Sequence, residues 1–147
     1  MSDSAKLDAL IKRVELFHGL TPDEVAKIFS RGMTMRCAKD EVLFHKGNVG
    51  NQMYVVLGGK IGIYNGSTII AVLRTGDMFG EMSLVTSEPR SATARAMEDS
   101  KLFVLSQTTF DKLLTKRVAI QILMNVIKTL SHRLKDSNQQ KSDNLMH

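Results

Sequence analysis

Between Gly32 and Leu105 the chain breaks into short apolar runs, each ended by turn residues before a helix could complete three turns. The runs are Met33–Ala38, Glu41–Phe44, Met53–Leu57, Lys60–Tyr64 and Thr68–Leu73, then Ser91–Met97 and Lys101–Leu105 beyond Pro89. Lys39-Asp40, Gly47–Gly50, Gly58-Gly59, Asn65-Gly66 and Thr75-Gly76-Asp77 punctuate them. Asn65-Gly66, set between two β-branched runs, is the strongest hairpin signal in the chain, because glycine reaches the positive φ that tight hairpins need. Seven short strands at regular spacing predict a mainly β domain, an antiparallel sandwich or barrel.

Helical periodicity flanks this block on both sides. Leu7, Leu10, Ile11, Val14 and Phe17 predict a helix over residues 4–17, which Gly19 stops. Thr21 followed by Pro22, Asp23 and Glu24 has the pattern of an N-cap and first turn, with Val25, Ile28 and Phe29 on the inner side of a second helix. Beyond the strands, Thr108–Leu114 predicts a short helix and Val118 to about Lys135 a longer one. In the longer helix Ile120, Leu123, Ile127, Leu130 and Leu134 alternate steps of three and four. Such a seam serves a second copy of the chain or the chain's own strands, and both uses stay open. The expected divisions are therefore a helical segment (1–32), a β unit (33–107), paired C-terminal helices (108–135) and a polar tail (136–147).

With 147 residues, 43% hydrophobic and 24% charged, the chain can bury a core of its own. Aromatics are 5% and tryptophan is absent, so that core rests on Val, Ile, Leu and Met. The polar start, the lack of a ~20-residue apolar run and the single Cys37 fit a cytoplasmic location, with no membrane partner. The net charge of +5 is uneven: +1 over residues 1–38, zero over 39–110 and +4 over 111–147. The excess thus sits on the last helix and tail, as a solvated basic face or a surface for an acidic partner.

One segment has the makings of a binding site. Gly80 lets a ligand approach the backbone, and Glu81-Met82-Ser83-Leu84 is long enough for one helical turn, whose leading N–H groups favour a phosphate. A carboxylate at Glu81 suits a donor such as a sugar hydroxyl rather than an anion. Nine residues on, Arg90 brings a planar fork of donors suited to phosphate oxygens, with Pro89 restricting the backbone before it.

Phe79-Gly80-Glu81-Met82-Ser83-Leu84, followed after a short connection by Pro89-Arg90-Ser91-Ala92-Thr93-Ala94, resembles the phosphate-binding cassette of the cyclic nucleotide-binding domain family. Leu73, Gly76 and Asp77 before it fit the same pattern, as do Lys46-Gly47, Tyr54-Val55-Val56-Leu57 and Gly59-Lys60-Ile61 upstream. The resemblance covers about residues 14–135. It implies an antiparallel β jelly roll with N-terminal helices and a C-terminal helix pair, and it implies a ligand site of Gly80, Glu81, Met82, Ser83, Arg90, Ser91 and Ala92. Glu81 is then expected to accept from the ribose 2′-hydroxyl and Arg90 to pair with an exocyclic phosphate oxygen. The backbone N–H groups of Gly80, Ser83 and Ser91 are the other expected donors. Asn48 stands where many relatives carry an acidic residue, outside the cassette. The stretch His132–Asn138 resembles the dimer helix of catabolite activator proteins, which implies Ser137 and Asn138 as contacts to the base.

The expected ligand is cyclic AMP. Cyclic GMP stays open, because the Ser91 hydroxyl could meet a guanine amino group. No catalytic residue is expected: the glycine turns lack the Lys-Ser/Thr of a P-loop, and His18, His45, His132 and His147 are too scattered for a metal set. Only thirteen residues follow Leu134, too few for a helix-turn-helix, so no direct DNA binding is expected. The functional expectation is a sensor domain that transmits binding through its last helix, with a homodimer through that helix possible. Two alternatives remain, a non-binding adaptor of the same fold and the sensor part of a DNA-binding regulator.

Overall fold

The computed structural model describes residues 14–84, 86, 88–112 and 116–146, the side chains of 84, 116, 119 and 137–146 excepted. Among the described residues, eight antiparallel strands form two four-stranded sheets. The first contains β1 (Met33–Cys37), β8 (Ser100–Ser106), β3 (Gln52–Gly58) and β6 (Met78–Phe79), in that spatial order. The second contains β2 (Val42–Phe44), β7 (Thr93–Ala96), β4 (Ile61–Asn65) and β5 (Thr68–Leu73). Together with its helices this is the expected jelly-roll sandwich.

The sheets explain why β3 and β8 read as continuous apolar runs rather than alternating ones. Side chains of a strand point alternately to opposite faces, and both faces of the first sheet are covered. Met53, Val55, Phe103 and Leu105 face a cluster built with the helices; Tyr54, Val56, Leu102 and Val104 face the second sheet, where Ile61, Ala94 and Ala96 meet them. At the β4–β5 hairpin Asn65 pairs with Thr68, so the loop residues are Gly66 and Ser67, with Gly66 at φ +64°.

Helix α1 (Pro22–Arg31) begins as its sequence predicts. The Thr21 hydroxyl accepts from the Glu24 N–H, and the Glu24 carboxylate accepts from the Thr21 N–H, a reciprocal cap that satisfies two exposed donors. Most of the helix expected over residues 4–17 lies outside the described residues; its end, Glu15–Phe17, is a single 3-10 turn. After β8 come α2 (Gln107–Lys112) and α3 (Lys116–Met146).

Helix α3 corrects the expected end of the last helix at Lys135. It runs on to Met146, 31 residues or roughly 46 Å, because nothing after Leu134 breaks it: residues 135–146 contain neither glycine nor proline. Strand β6 is an element that the sequence reading missed. The expected seam divides in two. Leu123 and Leu130 pack on the helical core cluster, whereas Ile120, Ile127 and Leu134 are more than half exposed.

Candidate functional site

The cassette lies where β6 leaves the first sheet. Tyr54 pairs with Phe79 and Val55 with Met78, which fixes the backbone entering Gly80. Gly80 has φ +73°, and a Cβ there would stand 2.6 Å from Arg90 Nη1 and 3.1 Å from the Gln52 carbonyl. Any other side chain would be both strained and obstructed. The chain then forms the 3-10 turn Glu81–Leu84, in which the Ser83 N–H donates to the Gly80 carbonyl at 3.1 Å. That donor, expected for a ligand, closes the turn here instead.

Arg90 is only 8% exposed. Its backbone is fixed on both sides: its N–H donates to the Asn48 carbonyl and its carbonyl accepts from the Gly47 N–H, each at 2.8 Å. The guanidinium lies 4.2 Å above the Phe44 ring, an attractive cation–π placement. Nη2 donates to the Gln52 carbonyl at 2.7 Å and Nη1 reaches the Gly80 carbonyl at 3.5 Å. Nε is buried without a partner, and among the described residues no carboxylate pairs with this cation. Burial lowers the Arg90 pKa from its usual value, with Tyr54 and Glu81 nearby partly restoring it. A buried cation without a counter-charge is costly, and an anion is what would relieve it.

Glu81 is 4% exposed and lines the same cavity of about 400 Å³ as Arg90. Its partner is Arg133 of α3, whose Nη1 donates to Glu81 Oε1 while Nη2 donates to the Met78 carbonyl at 2.6 Å. Gly80, Met82, Ser83, Ser91 and Ala92 also border the cavity, Met82 and Ser91 as exposed residues and Ala92 as a buried one. The structure therefore brings the seven cassette residues together. Besides these groups the cavity has an apolar lining that includes Ile63, Ala71, Leu73 and Leu130. The volume falls within the range for small-ligand sites, and an apolar wall facing a few convergent polar groups is their usual chemistry. Arg133 and Leu130 were missed from the sequence as site residues; Leu130 in the apolar stripe with an arginine three residues later was the only signal. Ser137 and Asn138 lie on α3 just beyond Arg133, but their side chains are outside those described. Among the described residues no three His, Cys, Asp or Glu side chains are grouped to hold a metal, and no helix is long and apolar enough to cross a membrane.

A jelly roll whose cavity is lined by both a buried arginine and a carboxylate has the chemistry to hold a small anionic ligand. The family model of the cyclic nucleotide-binding domain matches residues 34–117, and the chain belongs to that family. It is 31% identical over 133 residues to the cyclic AMP receptor protein of Thermus thermophilus, covering 87% of this chain and 61% of that protein. It is likewise 31% identical over 104 residues to the cAMP-dependent protein kinase regulatory subunit of Hypocrea atroviridis, covering 71% of this chain and 22% of that one. The chain thus spans less than two thirds of the length of either relative. Among solved structures, the catabolite activator protein of Thermus thermophilus superposes with a TM-score of 0.76 at 31% identity, covering 87% of this chain and 62% of that one. A cyclic nucleotide-binding domain from Methylobacillus flagellatus gives 0.81 at 22% identity, covering 93% and 83%, a likeness of fold.

Proposed function

We propose that this domain is a regulatory receptor for a 3′,5′-cyclic purine nucleotide, cyclic AMP first, and that α3 transmits its occupancy. The observation that carries the reading is Arg90, a buried guanidinium with one unpartnered nitrogen and no paired carboxylate, beside a cavity that also holds Glu81. A cyclic phosphate supplies the missing anion, a ribose hydroxyl supplies a donor for Glu81, and the apolar wall takes the faces of a purine. The names of the two relatives above support cyclic AMP as the ligand. The next turn of α3 carries Ser137 and Asn138, which we propose as contacts to the base. Cyclic GMP is the competitor, because the exposed Ser91 borders the cavity and its hydroxyl could meet a guanine amino group.

Calorimetry with both nucleotides tests this. Cyclic AMP should bind and raise the melting temperature, and Arg90→Ala should weaken binding about 100-fold, near 2.7 kcal/mol. A cooperative melting transition in the empty variant is the folding control, since the substitution also removes the donor to the Gln52 carbonyl and the contact with the Phe44 ring. Unchanged affinity in Arg90→Ala would overturn the proposal.

A second copy of the chain is the proposed occupant of the outward face of α3. Ile120, Ile127 and Leu134 repeat at steps of seven, with Met124 beside them, and all four are exposed. That is the repeat of a two-stranded seam. Sedimentation should show a dimer that Ile127→Glu converts to a monomer without lowering the melting temperature of the domain. A wild-type monomer at every accessible concentration would refute the seam.

A further inference from the structure

We infer that Glu88 is a specificity-determining residue that limits the ligand of this cavity to a single negative charge. The inference rests on the cyclic-nucleotide reading above and deepens it. It names what separates a cyclic phosphodiester, with one charge, from an open-chain phosphate monoester, with nearly two above about pH 7.

The reason lies in the charges around the cavity. Among the described residues four charged side chains line it, Glu81, Glu88, Arg90 and Arg133. Arg133 is paired with Glu81. Arg90 and Glu88 are left, and neither forms an ion pair among the described residues. Arg90 is buried, so its attraction is little screened; Glu88 is exposed, so its repulsion acts through water and is weaker. The cation therefore prevails for a first negative charge, and two side chains of each sign leave no surplus for a second.

Local chain geometry keeps Glu88 beside Arg90. Pro89 locks its own φ and biases the residue before it to extended backbone, in which side chains two apart turn to the same side. The Arg90 backbone is tied to Asn48 and Gly47, and the Glu88 N–H donates to the Thr86 hydroxyl at 3.4 Å.

A carboxylate beside an anion site weakens every anion, and that is how it discriminates. A ligand with one charge meets its repulsion once and a ligand with two meets it twice. A neutral residue at this position would hold the cyclic ligand more tightly and reject its ring-opened product less well.

The probes are cyclic AMP, adenosine 5′-methyl phosphate and 5′-AMP, titrated at about pH 7.5 against wild type, Glu88→Gln and Glu88→Lys. The first two carry one charge and the last nearly two, and the two open-chain ligands differ only by a methyl group. A unit charge a few ångströms away through water changes the affinity of another by about 3-fold. Glu88→Gln should therefore strengthen both monoanions about 3-fold and 5′-AMP about 10-fold, and Glu88→Lys should strengthen them about 10-fold and about 100-fold. Added salt should shrink these gains. Equal gains for all three ligands would overturn the inference, and so would 5′-AMP that gains nothing in Glu88→Lys. Wild-type protein that does not bind cyclic AMP would refute the underlying reading, independently of the variants.

Discussion

The two halves of α3 are held by different physics. In the near half, Val118, Ile122 and Val126 are buried in the helical core cluster. Asn125, 2% exposed, donates to the carbonyls of Leu16 and His18 at 2.8 Å each, and accepts from Gln121. Arg117 clasps both oxygens of Glu24 at 2.5–2.6 Å and reaches the Gly19 carbonyl. Past Val126 the helix has Thr129 buried, Leu130 half-buried and Ile127 and Leu134 exposed, with Arg133 bonded at the cassette. Each buried aliphatic contributes about 1.5–3 kcal/mol, whereas the arm is fastened by a single ion pair between a half-exposed Arg133 and a buried Glu81, whose gain is offset by desolvation. The difference teaches where the helix can respond to a ligand. Its stem is part of the domain core, and its arm is fastened at the site that a ligand would fill.

Substitutions along the helix test this contrast. Asn125→Ala should have the largest effect on folding, about 2 kcal/mol in urea denaturation, because it leaves two backbone carbonyls without their donor. A loss below a few tenths would mean that the stem is held by its apolar side chains alone. Arg133→Ala should lower the stability of the empty domain by about 1–2 kcal/mol, because it leaves the buried Glu81 carboxylate without its counter-charge, while reducing the extra stability that cyclic AMP confers. A larger loss without ligand would make the arm structural and erase the distinction between the halves.

The smallest effect is expected at the foot of the stem, under acid. The Thr21 N–H, first of all, and then Arg117 hold Glu24 below its ordinary value of 4.5, against the opposing effect of burial. A depressed carboxylate contributes its stability above 4.5 and loses it as pH falls through the lower folded value. The urea midpoint should therefore decline below about pH 4.5, and Glu24→Gln should remove that part of the slope. An identical acid slope in the variant would assign the decline to other carboxylates.

The same contrast marks what the sequence could and could not disclose. The stem was legible: Thr21-Pro22 announced α1, and Ile120 to Leu134 announced a helix. Gly80, Glu81 and Arg90 were legible as a group because their combination and spacing resemble a family cassette, and they do line one cavity. Strand β6 was not, since two residues carry no periodicity and only the edge of β3 makes them a strand. The seam misled in a particular way: steps of three and four describe one stripe, yet β-sheet and solvent divide it, with Leu123 and Leu130 inward and Ile120, Ile127 and Leu134 outward. The role of Arg133 depends on a carboxylate 52 residues away, and no local pattern encodes that meeting.

Arg90 has a consequence for anyone who selects variants of this domain. Its buried, partly unsatisfied guanidinium is a local conflict that the empty fold tolerates. A screen for heat resistance alone sets no value on that unpartnered nitrogen, and a variant that repacks the site with apolar groups would lose the proposed anchor for an anion. Under the proposed function, selection that keeps the arginine acts in the presence of ligand, where the conflict becomes an attachment point.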